Sequence, residues 1–357
     1  MRIKDKIVIF SISAFFLLMS LWGIFGKTSN YSESERRALA SFPNVNVESM
    51  ISGDFSKEFD HYAVDRFPAR DKWRQIKAYV KTKFFLQQDN NKLYTAGQHI
   101  SKMDYPMNLQ MMDYAIQRFT NIKETYLKQN NIYLAIIPDK NRYLAEQTGH
   151  LAFDYEEFST YIAERMPYAE YIEISDLLDA DDYYYTDSHW RQERIVDVAE
   201  RIATVMGADI SQEYSAHTLE TDFYGVYAGQ SALACEPDKI TYLLSPSIQH
   251  AQVAGAEAIY DQKKAESKDP YEMFLSGNQP IVTLTNNQCD SQKRLIMFRD
   301  SFGSSIAPLF IEGYSEITLV DLRYISSEKL SEYVSFENAD ILFLYSTILL
   351  NNSLSLK

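Results

Sequence analysis

Two short stretches of this 357-residue chain hold residues that together could do nucleophilic chemistry. The first is Lys293-Arg-Leu-Ile-Met-Phe-Arg-Asp-Ser-Phe-Gly-Ser-Ser305. Its apolar run predicts a buried strand ending at Phe298, a tight turn, and a helix from about Ser304. Ser301 would then lie at a strand end beside a helix N-terminus, where free amides and the helix dipole favour an anionic oxygen. A nucleophilic serine needs such a place, because its own amide can help hold the oxyanion of a tetrahedral intermediate. The simpler role for Asp300 or Ser301 is to cap the following helix. The second stretch is Asp181-Asp-Tyr-Tyr-Tyr-Thr-Asp-Ser-His-Trp190. Asp187 and His189 stand two apart, so in an extended segment they project to one side. A base must accept the serine proton and a carboxylate must fix its tautomer, and one Asp-x-His loop could supply both. Capping of a helix after Trp190 competes for Asp187, and His189 could be an ordinary surface histidine. A zinc reading is weak, since no HExxH occurs and only one histidine stands here. No metal or organic cofactor is expected.

These residues need a scaffold that brings them together. Ile132-Tyr-Leu-Ala-Ile-Ile137 is a continuous apolar run bounded by Asn131 and Pro138, the pattern of a strand buried on both faces. Similar runs cover 281–284, 294–298, 317–320 and 341–345. Helical patterns fall between several of them, at 155–165, 191–206, 304–314 and 327–334, and an amphipathic helix is expected from about Leu109 to Lys128. Alternating strands and helices predict an α/β fold with a mostly parallel sheet covered on both faces, and reactive groups at the carboxyl ends of its strands. Residues 51–85 also read as helical, with an interruption at Phe67-Pro68.

Taken together, the two stretches resemble known families. Strand-Arg-Asp-Ser-Phe-Gly is similar to the serine block of SGNH (GDSL-like) hydrolases. Thr186-Asp-Ser-His-Trp190 resembles the Asp-x-His-Trp block of the alginate O-acetyltransferase family (AlgJ and AlgX) and of the bacterial DHHW family, with Ser188 where the DHHW name has its first histidine. In those relatives the Asp-x-His block precedes the serine block, the reverse of the ordinary SGNH order, and so it does here. Glu35-Arg-Arg-Ala-Leu-Ala-Ser-Phe-Pro43 and Phe59-Asp-His-Tyr-Ala-Val-Asp-Arg-Phe-Pro-Ala-Arg-Asp71 look like the family's N-terminal signature. Ile137-Pro-Asp-Lys140 and Phe223-Tyr-Gly225 sit where it has comparable segments.

The resemblance implies an SGNH-like three-layer sandwich with circularly permuted motifs. It implies catalysis by Ser301, His189 and Asp187, and acyl transfer to an exopolysaccharide or cell-wall polymer. A membrane-bound O-acyltransferase would supply the acyl group. Gly225 would be the family's oxyanion glycine, Ser346 would stand for its asparagine, and Tyr224, Arg299 and Lys140 would line the pocket. A carbohydrate esterase of the same fold and a non-catalytic glycan-binding protein are the alternatives.

Composition is that of an ordinary globular chain, 46% hydrophobic and 24% charged. A net charge of −14 and no evident basic patch argue against a nucleic-acid partner. Its 26 tyrosines suit either sugar stacking or plain packing. Residues 7–26 form an apolar run long enough to span a bilayer, after Arg2, Lys4 and Lys6. A signal peptide would have a shorter apolar region and a small-residue cleavage site. The expected layout is therefore a cytoplasmic tip and anchor at 1–27, a stalk at 28–48, and an extracytoplasmic body at 49–357. Cys235 and Cys289 could pair in an oxidising compartment, and nothing in the sequence decides it.

Overall fold

The computed structural model describes residues 2–26, 29–210 and 213–357. Lys27, which closes the expected anchor, and Thr28, which opens the expected stalk, lie outside the described residues, as does Met1. The described chain divides into two compact units, residues 1–91 with 228–234, and residues 92–227 with 235–357.

The first unit begins with α1 (Ile3–Phe25), long and apolar enough to cross a membrane. A span or a signal sequence fits such a helix equally by length and composition. A small hairpin follows, β1 (Tyr31–Ser32) against β2 (Arg37–Ala38). Then come α2 (Val47–Ser52), α3 (Asp54–Asp65) and α4 (Arg70–Tyr79), which runs on into a π-helical turn at Val80–Phe84. The break between α3 and α4 falls at Pro68, as the sequence implies. The unit has a charged centre built from the N-terminal signature. Arg37 forks onto Asp65 at 2.8 and 2.6 Å, and Glu35 takes Arg70 at 2.6 Å and Arg74 at 3.3 Å.

The second unit is an α/β body. Its seven-stranded sheet runs in the order β6 (Glu170–Tyr171), β5 (Ile132–Ile137), β13 (Ala339–Ser346), β11 (Arg294–Arg299), β12 (Glu316–Val320), β10 (Ile281–Thr285), β9 (Gln252–Ala254). The first four pairings are parallel, and the two that bring in β10 and β9 are antiparallel. Side chains alternate between the two faces. Ala135, Ile137, Leu342, Leu344, Leu295 and Met297 pack on one face with α8 (Val196–Val205). Leu134, Ile136, Phe343, Tyr345, Ile296 and Phe298 pack on the other with α5 (Leu109–Tyr126) and α7 (Tyr155–Arg165). This is the three-layer sandwich expected from the sequence.

Several elements lacked a sequence signal. Among them are the hairpins β3 (Leu93–Ala96) with β4 (His99–Lys102) and β7 (Ser215–Thr218) with β8 (Thr241–Leu244), and α6 (Asn141–Thr148). The helix expected at 304–314 is one α-turn, Gly303–Ile306, that tightens to 3₁₀ at Ala307–Phe310, where Pro308 removes a donor. Residues 327–332 are likewise 3₁₀. Both cysteines are free, and Cys289 Sγ donates to the Glu312 carbonyl at 3.0 Å.

Candidate active site

Parallel pairing aligns the carboxyl ends of β5, β13 and β11, so the turns after them converge. In the pairing register Ile137 stands opposite Ser346, and Leu344 opposite Arg299. The turn after β11 is Asp300-Ser301. Asp300 is buried; its Oδ2 accepts the Ser346 amide at 2.9 Å and the Ser346 hydroxyl at 2.6 Å, and its Oδ1 accepts the Phe302 amide at 3.0 Å. Ser301 is thereby tied to the end of the neighbouring strand. Its own amide makes no hydrogen bond among the described residues.

The Asp-x-His stretch forms a loop closed by an antiparallel bridge between Tyr183 and Trp190. Inside it, Asp187 Oδ1 lies 2.6 Å from His189 Nδ1, and His189 Nε2 lies 2.7 Å from Ser301 Oγ. The structure thus brings all three expected residues into one hydrogen-bonded chain. Asp187 is fully buried, and such a carboxylate needs donors. Besides the imidazole, the His189 amide reaches Oδ1 at 3.1 Å and the Val226 amide reaches Oδ2 at 2.7 Å. Asp187 does accept the first amide of a helix, but that helix is Val226–Ser231 and not one after Trp190. Trp190 is buried and donates Nε1 to Ser305 Oγ at 2.9 Å, joining the histidine loop to the helix after Ser301.

The remaining expected residues stand around this chain in other parts. Gly225 supports Asp187 from behind. Its amide donates to Thr186 Oγ1 at 2.8 Å, and a Cβ there would come within 2.3 Å of Asp187 Cβ, so only glycine fits this approach. That amide is therefore committed to Thr186. Ser346 is likewise committed to Asp300 through both its donors. Arg299 is buried and sends Nη1 to the Asp300 carbonyl at 3.3 Å and to Asp321 at 3.4 Å, toward the end of β12. Lys140 is buried and donates Nζ to the Tyr184 and Tyr185 carbonyls at 2.7 and 3.0 Å, so it braces the histidine loop. Burial pushes its ammonium down to about 7, against the pull of Asp238, Asp187 and Asp139. Tyr224 is exposed.

Two supports had no sequence signal. Asp238 accepts the amides of Tyr185 and Thr186, each at 2.8 Å, and the Thr186 hydroxyl at 2.5 Å. Tyr271 lays its ring on the His189 imidazole, with centroids 3.9 Å apart and planes 15° apart. Its hydroxyl donates to Ser305 Oγ at 3.0 Å and the Ser301 carbonyl at 3.3 Å. Burial, with Asp187 and Asp300 nearby, pushes that phenol well up, so it stays a donor. Either could only have been found by knowing which loops meet.

A serine, a histidine and an aspartate in one hydrogen-bonded chain is the arrangement that serine acyl-transfer enzymes use on several unrelated folds. No family model matches the chain, and no curated protein does. Solved structures do share its fold. A DHHW family protein from Eubacterium siraeum is 18% identical, covering 72% of this chain and 91% of that one, with a TM-score of 0.56. PatB1 of Bacillus cereus, solved with a sulfonyl adduct, is 16% identical over 72% and 94%, with a TM-score of 0.57. The O-acetyltransferase domain of Pseudomonas putida AlgJ is 11% identical over 72% and 90%, at 0.46. The fold assignment rests on the first two.

Proposed function

We propose that this chain is a membrane-attached serine acyltransferase that O-acetylates an exopolysaccharide or wall polymer through an acyl-Ser301 intermediate. The observation that carries the reading is the unbroken chain Asp187–His189–Ser301, with links of 2.6 and 2.7 Å. In the first step Ser301 Oγ attacks the acyl carbonyl while His189 Nε2 takes its proton, and Asp187 holds Nδ1–H and offsets the imidazolium charge. The Ser301 amide is the first oxyanion donor. The tetrahedral intermediate then collapses to acyl-Ser301, and His189 returns the proton to the leaving group. In the second step a sugar hydroxyl attacks the acyl-serine, with His189 as base, and regenerates Ser301. A membrane-bound O-acyltransferase would supply the acetyl group on the outer side, and α1 would hold Ser301 in its reach. The fold shared with PatB1, a protein solved with a sulfonyl adduct, favours a reactive centre of this kind.

The test uses the full chain in detergent. A sulfonyl fluoride is expected to add to Ser301, seen by intact mass and peptide mapping, and to fail in His189→Ala. A chromogenic acetyl ester is expected to turn over, and a polysaccharide acceptor to divert acetyl from water to sugar. Acetate as the sole product in the presence of acceptor would identify a carbohydrate esterase. No adduct and no turnover, with glycan binding intact, would sink the catalytic reading.

A further inference from the structure

The first unit is built inside out. Its centre is the ion network of Glu35, Arg37, Asp65, Arg70 and Arg74, while large apolar side chains point outward. The helix α4 shows this most clearly. Arg70 and Arg74 turn inward to Glu35, with side chains only 15% exposed. On the same helix Trp73, Ile76 and Tyr79 are 42, 52 and 67% exposed. A soluble surface helix has the opposite arrangement. The π-helical turn extends the apolar face, because Phe84, Phe85 and Leu86 are all exposed. Lysines rim this face: Lys72, Lys77 and Lys83 are exposed and Lys81 is half-buried. From Arg70 to Phe84 there are six basic residues and one acidic residue, Asp71, in a chain whose net charge is −14. The overall charge conceals this local excess.

An apolar stripe carrying tryptophan and tyrosine and bordered by lysines has the chemistry of a helix lying in a bilayer interface. Its lysines would meet anionic headgroups, and its rings would sit at the acyl boundary. The same compact unit carries α1, the chain's candidate membrane span. We infer that the outward face of α4 and the π-helical turn, centred on Trp73, Ile76, Tyr79, Phe84 and Phe85, is a second membrane contact that docks on an anionic lipid surface. An apolar helix alone would leave the rest of the unit free to swing. A second contact would fix its orientation to the membrane plane.

The chain has three tryptophans, Trp22 in α1, Trp73 on this face and the buried Trp190, so fluorescence can isolate the site. Full-length Trp22→Phe protein would be reconstituted into phosphatidylglycerol vesicles containing lipids brominated near the headgroup, and incorporation checked by flotation. Emission is expected to be quenched, and the quenching lost in Trp22→Phe/Trp73→Phe, which keeps only Trp190. Replacing Lys72, Lys77 and Lys83 by Gln, or using phosphatidylcholine alone, is expected to weaken the quenching. All these side chains are exposed, and an unchanged melting curve would verify that the variants fold. Quenching that is absent in incorporated protein, or that Trp73→Phe leaves intact, overturns the inference. So does quenching indifferent to lipid charge. Shielding of Trp73 in native membranes but not in pure lipid would assign the face to a protein partner instead.

Discussion

The nucleophile and the base of the candidate site are held by different means. Ser301 hangs from the sheet: β11 delivers it, and Asp300 ties its turn to the last residue of β13 through backbone and hydroxyl donors. The Asp187–His189 loop lies outside the seven-stranded sheet, and one strand amide reaches it, from Ile100 of β4 to the Tyr185 carbonyl at 2.8 Å. Four separate side chains hold it: Asp238 through the Tyr185 and Thr186 amides, Lys140 through two carbonyls, Trp190 through Ser305, and Tyr271 through the imidazole face. Backbone hydrogen bonds survive most side-chain changes, and the serine turn has more of them from the sheet, whereas each side-chain support of the loop depends on one residue. Damage to the loop should therefore cost activity out of proportion to stability, and damage behind the serine should do the reverse.

The largest effects come from the reacting groups themselves. Ser301→Ala and His189→Ala are each expected to cut acetyl-ester turnover by roughly 10³-fold or more, with melting nearly unchanged. Because the groups act as a unit, the double variant should lose no more than either single one. A multiplicative loss in the double variant would mean that they act independently.

The next pair sets loop against turn. In Gly225→Ala the new methyl would meet Asp187 Cβ at 2.3 Å, so the carboxylate or the Val226 amide must move. Ser346→Ala removes one hydroxyl donor from Asp300 and leaves the amide in place. Each is expected to cost about 1–3 kcal/mol in denaturant unfolding. Turnover should fall roughly 10²-fold in Gly225→Ala, since small displacements of a catalytic group are that costly, and stay within a few-fold in Ser346→Ala. Equal losses in the two variants would break the comparison.

What could be read in the sequence follows the same division. The strand β5 was legible because it is buried on both faces and written as six unbroken apolar residues. Ser301 was legible because a strand end followed by Asp-Ser-Phe-Gly has local meaning. Asp187 and His189 were legible because they lie two residues apart and resemble a known block. Asp238 and Tyr271 were not, because their partners lie 52 and 30 residues or more away and only the tertiary fold joins them. Gly225 and Ser346 were found for their positions, but the structure gives them different work: one makes room behind Asp187, the other restrains Asp300. The inside-out α4 shows another limit, since a chain-wide net charge cannot reveal a basic stripe along one helix.

Tyr271 allows a smaller and more specific measurement. Its ring face against His189 favours the imidazolium formed as the serine proton moves, by about 0.5–2 kcal/mol. Tyr271→Phe keeps the ring and loses the two hydrogen bonds, whereas Tyr271→Leu loses both. Turnover is expected to fall roughly five- to tenfold further in the leucine variant than in the phenylalanine variant. Equal values would mean that the hydroxyl, held by Ser305 and the Ser301 carbonyl, is the whole contribution, and that Tyr271 belongs with the serine turn.

Lys140 gives the smallest effect on turnover, and its distinguishing signature is read in stability against pH. Burial brings its folded pKa down to about 7, from an ordinary value of 10.5. Between those values the unfolded chain binds the extra proton, so this group makes stability rise with pH from about 7 to about 10.5. Its neighbour Asp139 acts in the opposite sense. Burial raises that carboxyl from 3.8 to about 6, so the folded chain holds the extra proton and stability falls as pH rises through that window. By themselves these two groups make stability lowest between about 6 and 7. Lys140→Met is expected to abolish the rise above neutral pH and leave the fall below it, while turnover drops at every pH because the Tyr184 carbonyl loses this donor and the Tyr185 carbonyl keeps only the Ile100 amide. If turnover were unchanged while the alkaline rise vanished, Lys140 would be a buried charge with no hold on the loop, and the loop's remaining supports would suffice to place the histidine.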